Sequence, residues 1–211
     1  MKRKPAVAGQ FYSSNPTALS EEVRGYFEKV ADKQKVIGVL SPHAGLMYSG
    51  AVAGAVFSRI EAPETFIILS PNHTGLGSIV SIMSNGSWQI PTGELEIDED
   101  IAAKLLKQCR LIEDDSLAHK MEHSIEVQLP FLHKVNPDAK IVPVCMMDQS
   151  LEGARDVADS VVVAEEKLGR KVVVVASSDF SHHLPAEVAK KNDSRRLGIF
   201  WSWILPGSRK K

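Results

Sequence analysis

Two rhythms alternate along the chain. Short runs rich in Val, Ile and Leu read as buried strands: KVIGVLSP ending at Pro42, TFIILSP at 65–71, SIVSIM at 78–83, KIVPVCMM from 140 and KVVVVASS from 171. Between them lie stretches with helical spacing. From Ala18 to about Ala31, Leu19, Val23, Tyr26, Phe27 and Val30 share one face. Residues 49–60, SGAVAGAVFSRI, carry small side chains that suit close approach to a sheet, with Ser49 as N-cap. A third helix is predicted from Asp98 to Cys109, opened by acidic residues that suit the positive end of its dipole. A fourth starts near Glu122 with a kink at Pro130, and a fifth runs from Leu151 to Leu168; NGSW marks a turn. Strands that are apolar on both faces and alternate with helices imply an α/β fold, a mostly parallel sheet covered on both sides. No repeat or linker divides the chain, and 211 residues fit one domain.

Three strands end alike, in VLSPHAG, ILSPNHTG and VASSDFSHH. Ligands of open α/β sheets bind beyond the carboxyl ends of the strands, so His43, His73, Asp179 and His182 are expected on one edge. Two histidines and a carboxylate with open positions form the donor set of non-heme iron sites, although each histidine alone also reads as a hydrogen-bonded loop residue. Gly45 and Gly75 follow their histidines by two positions, where a positive φ would turn the chain back. In HKMEH, His123 reads as a pocket residue and His119 as solvated, while His133 reads as structural or exposed. The chain carries no GxSxG, GxxxxGK[ST] or GxGxxG, which argues against a serine hydrolase elbow, a P-loop and a dinucleotide site.

Charge narrows the partners. With 25 basic against 26 acidic residues, nothing is dedicated to nucleic acid. Two cysteines without metal or disulfide spacing suit a reducing compartment. The start MKRKPAVAGQFY lacks an apolar core and no run is long enough for a membrane span, so a cytoplasmic protein is expected.

PAVAGQFY (5–12), SPHAGLMYSG (41–50), SPNHTG (70–75), EHSIEVQLPFL (122–132) and SSDFSHH (177–183) resemble, in order, the motifs of the Memo-like proteins. Bacterial and archaeal members of that family are called AmmeMemoRadiSam system protein B. The resemblance implies a three-layer α/β/α fold like that of class III extradiol dioxygenases, which use non-heme Fe(II). It places metal ligands at His43 and His73, for Fe(II) or another divalent ion such as Cu or Zn. It further implies an acid/base at His182 oriented by Asp179, and a pocket histidine at His123 that positions substrate. His183 falls on a variable position. Small-molecule or peptide ligands, and a radical SAM protein as partner, are also implied. Three functions stay open: a redox or dioxygenase-type enzyme, a module that binds a peptide or protein in the same cleft without turnover, and a metal-dependent hydrolase.

The resemblance also implies a further helix and strand after about Asp193, reaching a cysteine that completes the metal site. Here SRRLGIFWSWILPGSRKK follows, and no cysteine comes after Cys145. The expectation is therefore a single domain, 1–211, lacking that segment through truncation or a shifted reading frame, with 194–211 an atypical tail. Phe200, Trp201, Trp203 and Ile204 would then cover the exposed apolar surface or drive oligomerisation.

Overall fold

A computed structural model describes residues 1–29 and 33–204, the side chains of 199–204 excepted. It begins with β1 (Lys2–Arg3) and α1 (Pro16–Tyr26), then β2 (Gly38–Ser41), α2 (Leu46–Ser58) and β3 (Thr65–Pro71). Three short strands follow, β4 (Val80–Ile82), β5 (Ser87–Ile90) and β6 (Gly93–Glu96), and then α3 (Glu99–Gln108) and β7 (Ile112–Asp114). A 3-10 turn at Glu126–Gln128 runs into α4 (Leu129–Val135), followed by β8 (Lys140–Met146), α5 (Leu151–Leu168), β9 (Val172–Ser177) and α6 (Ala186–Ile204). The chain divides into two compact units, residues 1–178 and a second beginning at Asp179. No described helix is long and apolar enough to cross a membrane.

The first unit carries a six-stranded sheet in the order β2-β9-β3-β8-β4-β7. All neighbours are parallel except β4 and β8. β3 is sandwiched between β8 and β9, and Phe66, Ile67 and Ile68 are almost wholly buried, as its uninterrupted apolar run requires. Helices flank this sheet in a three-layer α/β/α arrangement. A smaller sheet, β1-β5-β6, contains a hairpin of β5 and β6 that buries Trp88 and Leu95.

Several helices begin elsewhere than their periodicity predicts. In α1 the Asn15 side chain accepts from the Ala18 N–H at 3.0 Å and Pro16 takes the first turn, where its missing N–H costs nothing. Its last residue is Tyr26, and the predicted Val30 and Ala31 lie outside the described residues. α2 starts at Leu46, with Gly45 as N-cap; Ser49 is no cap, because its hydroxyl donates back to the Ala44 carbonyl at 2.7 Å. Glu122 starts no helix either. The helix begins at Leu129, so Pro130 stands in its first turn rather than at a kink. Among the tail aromatics, the side chains of Phe200, Trp201, Trp203 and Ile204 lie outside the described residues.

The two inner glycines of α2 serve close contact with α1. A Cβ on Gly50 would stand 2.4 Å from the Tyr26 ring, and one on Gly54 2.3 Å from the Tyr26 backbone oxygen. A ring can swing aside, but a helix-terminal carbonyl cannot without moving α1. Gly54→Ala is therefore expected to destabilise the protein by about 2 kcal/mol or more through overpacking, with Gly50→Ala milder. Urea titrations of the two variants check the order.

In the second unit, α6 is preceded by a loop with Phe180 and His183 at φ 59° and 53°, a region that side chains seldom occupy. The Ser181 N–H donates to Asp193 Oδ1 at 3.2 Å, fastening the loop to α6.

Candidate functional site

β2 and β3 each release the chain into a tight turn, and each turn carries a histidine two residues beyond its strand. After β3, Asn72 Oδ1 accepts from the N–H groups of Thr74 and Gly75 at 3.0 and 2.9 Å, and Gly75 adopts φ 66° as the turn requires. Gly45 differs from its expected conformation. It has φ −53°, because it caps α2 beside Phe11: the Leu46 N–H donates to the Phe11 carbonyl at 2.7 Å. A third histidine, His123, comes from the loop before the 3-10 turn.

These turns bring three imidazoles together. Ring centroids lie 5.3 Å apart for His43 and His73, 5.7 Å for His43 and His123 and 4.5 Å for His73 and His123. One ring nitrogen from each falls within 4.8 Å of the others. Points no more than 4.8 Å apart all lie within about 2.8 Å of a common centre, against ~2.1 Å for a zinc-bound imidazole nitrogen. Small ring rotations close that gap, so the donor set fits a divalent metal. His43 is buried, whereas the His73 side chain is 40% exposed, which leaves the cluster accessible from one side.

The hydrogen bonds around two of the rings decide where their protons sit. Ser177 Oγ donates to the Ser124 carbonyl at 2.7 Å, which uses its one proton. It also receives Gln128 Nε2 at 2.9 Å, and the Pro42 carbonyl 2.8 Å from that nitrogen fixes the amide orientation. His43 Nδ1, 2.8 Å from Ser177 Oγ, is then a donor, and the ring's lone pair is on Nε2.

His73 is set by Glu122. The wholly buried carboxylate lies 2.8 Å from His73 Nδ1 and accepts from the N–H groups of His73, His123 and Ser124 and from the Ser124 hydroxyl. Burial alone would raise this carboxyl, but the hydrogen bonds from His73 and from the Ser124 and His73 backbones prevail and hold it down to about 2. Ionised, it makes His73 Nδ1 a donor, with coordination left to Nε2. Beneath, Cys145 Sγ lies 3.7 Å from the Pro71 carbonyl, and burial, followed by the charge of Glu122, pushes its thiol up to about 12. Phe11 completes one wall, its ring 4.8 Å from that of His123.

Asp179 and His182 belong to the second unit, where Asp179 Oδ2 stands 2.9 Å from His182 Nε2 and the rings of His182 and His183 stack at 4.9 Å. His119 is not solvated: it is fully buried, edge-on to Trp88 at 5.7 Å. The turn through Ser116, whose carbonyl accepts from the His119 N–H, points it inward. His133 is half-buried and packs on Gly93, a structural place. Periodicity and motif reading gave no role to Glu122, Ser177, Gln128 or Phe11. The one visible signal is an acid directly beside a histidine at the start of EHSIEVQLPFL.

Comparison with known proteins agrees with this geometry. A family model described as Memo-like protein matches residues 3–200. A MEMO1 family protein of Methanopyrus kandleri is 43% identical over 209 residues, spanning 92% of this chain and 74% of its own length. Those of Archaeoglobus fulgidus and Methanothermobacter thermautotrophicus are 45% and 40% identical, over 91% and 92% of this chain and 72% and 75% of their own lengths. Since the matched segment contains all five motifs and the three clustered histidines, the chain belongs to the Memo-like protein family.

Proposed function

We propose that His43, His73 and His123 hold a divalent transition metal, Fe(II) first and Cu or Zn as alternatives, in a pocket for redox or dioxygenase-type chemistry on a small molecule. The observation that carries this reading is the convergence of one ring nitrogen each from His43, His73 and His123 within 4.8 Å, and the proton placement inferred from their hydrogen-bond partners supports it. Two buried partners, Ser177 and Glu122, put the protons of His43 and His73 on Nδ1 and so present both Nε2 lone pairs as donors. A solvated or purely structural histidine cluster has no need of that arrangement. A bound redox metal supplies electron transfer and polarises a ligating oxygen. Three imidazoles leave coordination positions open for substrate, as the two-histidine, one-carboxylate sites of non-heme oxygenases do.

The chain's residues divide the remaining work. His123, packed on Phe11, limits where a ligand can sit. Motif resemblance assigns an acid–base role to Asp179 and His182, and within the second unit the Asp179 carboxylate stands 2.9 Å from His182 Nε2, where it orients the ring. Motif resemblance likewise suggests a radical SAM protein as partner.

Anaerobic titration of the purified protein with Fe(II), Zn(II) or Cu, read by calorimetry and elemental analysis, tests the proposal. One equivalent is expected, with a loss of affinity of about 100-fold or more in the His43→Ala, His73→Ala double variant, since first-shell ligands matter at least as much as their outer partners. A protein that takes up none of these ions, or a double variant that binds as well as wild type, overturns the reading.

A further inference from the structure

We infer that Glu122 is the positioning and charge-setting residue of the histidine cluster: one carboxylate fixes two ligand-bearing loops and commits the site to a dication. This rests on the metal reading above and deepens it.

Three backbone N–H groups are fixed donors to the carboxylate, and a ring nitrogen and a hydroxyl, the latter shared with the Pro71 carbonyl at 3.0 Å, stand beside them. His73 N–H meets Oε2 at 2.6 Å, while His73 Nδ1, the His123 and Ser124 N–H groups and the Ser124 hydroxyl meet Oε1 at 2.8, 3.0, 3.0 and 2.8 Å. His123 Nδ1 stands 3.4 Å from the same oxygen. A carboxyl group that receives three backbone N–H groups is stabilised as the anion, which in turn makes His73 Nδ1 the donor. Two of the three candidate ligands, His73 and His123, are thus held by a single anion, His73 through ring and backbone and His123 through its backbone N–H. The contacts span 49 residues of sequence for His73, so Glu122 ties the turn after β3 to the loop before α4.

The charge is the second point. Glu122 is wholly buried, yet among the described residues no lysine or arginine is ion-paired with its carboxylate. Arg3, the nearest guanidinium in the network, reaches only the Glu122 backbone carbonyl and gives its charge to Glu126. A buried anion without a counter-ion is costly, and a cation among the three imidazoles removes that cost. Relayed through His73, the same negative charge raises the basicity of Nε2 and strengthens it as a ligand. A neutral or anionic occupant gains nothing from this arrangement, so the ligand class is a divalent transition ion.

Glu122→Gln tests the assignment. Its amide keeps the shape and one acceptor, but loses the charge and sets an NH2 group among donors, so His73 no longer has a fixed tautomer. Calorimetric titration of the full chain with Zn(II) alone is expected to show affinity lowered by about 10- to 100-fold. Titration with Co(II) is expected to show visible absorption bands at shifted wavelengths, a change in ligand field that mere loosening of the fold would not produce. Circular dichroism of the metal-free variants reports folding separately. If Glu122→Gln does not fold, Glu122→Asp decides, because it keeps the charge but withdraws it from His73 Nδ1; a similar loss and band shift are expected. A folded variant that binds Zn(II) within twofold of wild type and gives unshifted Co(II) bands overturns the inference while leaving the metal reading intact. Wild-type protein that binds neither ion brings down the metal reading itself.

Discussion

Glu126→Ala is expected to remove about 4 kcal/mol of stability, in the range observed when one partner of a buried ion pair is deleted. Glu126 is fully buried and receives Arg3 Nη1, the N–H groups of Ala6 and Val7 at 2.8 and 3.0 Å, and the Tyr12 hydroxyl at 2.6 Å. Burial, then the charge of Glu126, pushes the Tyr12 phenol far upward, so it always has a proton to give. Arg3 lies 4.2 Å over the Trp88 ring and spends its other nitrogens on the carbonyls of His119 and Glu122, at 3.0 and 2.8 Å. Without the carboxylate, a desolvated guanidinium, a phenol and two backbone donors lose their acceptor at once. A drop that size is a large part of the ordinary stability of a domain, about 5–15 kcal/mol. Urea unfolding monitored by Trp fluorescence measures it. A loss below about 1 kcal/mol would mean that water enters to replace the carboxylate. The double replacement Arg3→Met, Glu126→Leu, which removes both charges, is expected to recover much of the loss.

The second large effect is a dependence on pH. Burial first, and the charge of Arg3 second, lower His119 from its ordinary 6.5 to about 4 against the smaller opposing pull of Asp115, the Ser81 backbone and Glu122, and among the described residues neither ring nitrogen has a hydrogen-bond partner. Above pH 6.5 neither the folded nor the unfolded chain holds a proton on this ring, and its contribution is constant. Between about 6.5 and 4 the unfolded chain binds the proton and the folded one does not, so stability falls as pH falls. The slope is about 1.4 kcal/mol per unit and the total about 3 kcal/mol. Below pH 4 both forms are protonated and the loss stops growing. Comparing wild type with His119→Phe in denaturant titrations from pH 8 to 4 isolates the effect, since the other titrating groups are common to both. The gap between the curves should close progressively in that window, in favour of the variant at low pH. Parallel curves would show that His119 reaches a proton acceptor in solution.

Where the chain is buried on both sides, its sequence is nearly enough to locate the elements. β3 has its predicted bounds, 65–71, because an unbroken apolar run can be satisfied only between neighbours, as β3 is between β8 and β9, and α5 has its predicted 151–168 because Ser150 caps its start and Gly169, at φ 63°, ends it. Helix starts were less legible, since a cap is one local hydrogen bond and periodicity is blind to it; Asn15 and Gly45 precede the first apolar residues that set the rhythm. Glu122 looked like a first-turn acid of a helix and is instead a buried acceptor for two loops.

The site divides in the same way. His43 and His73 could be read from their places beyond strand ends, and the structure brings them together with His123. Their hydrogen-bond partners could not be read. Ser177 meets His43 across 134 positions of sequence, and Gln128 reaches Ser177 across 49, distances at which a serine or glutamine in a one-dimensional pattern is only a polar residue.

The strand order bears on how such a site comes into being. Among the described strands β2 pairs with β9 alone, and β3 pairs with β8 and β9, so the earliest strands of this sheet all depend on the latest. During synthesis β3, which leads to His73, can pair with β8 once residues 140–146 are made, but β2, which leads to His43, has no strand neighbour until residues 172–177 arrive, and contacts between distant segments form slowly. The hydrogen bond that orients the His43 ring therefore waits on a partner made 134 residues later.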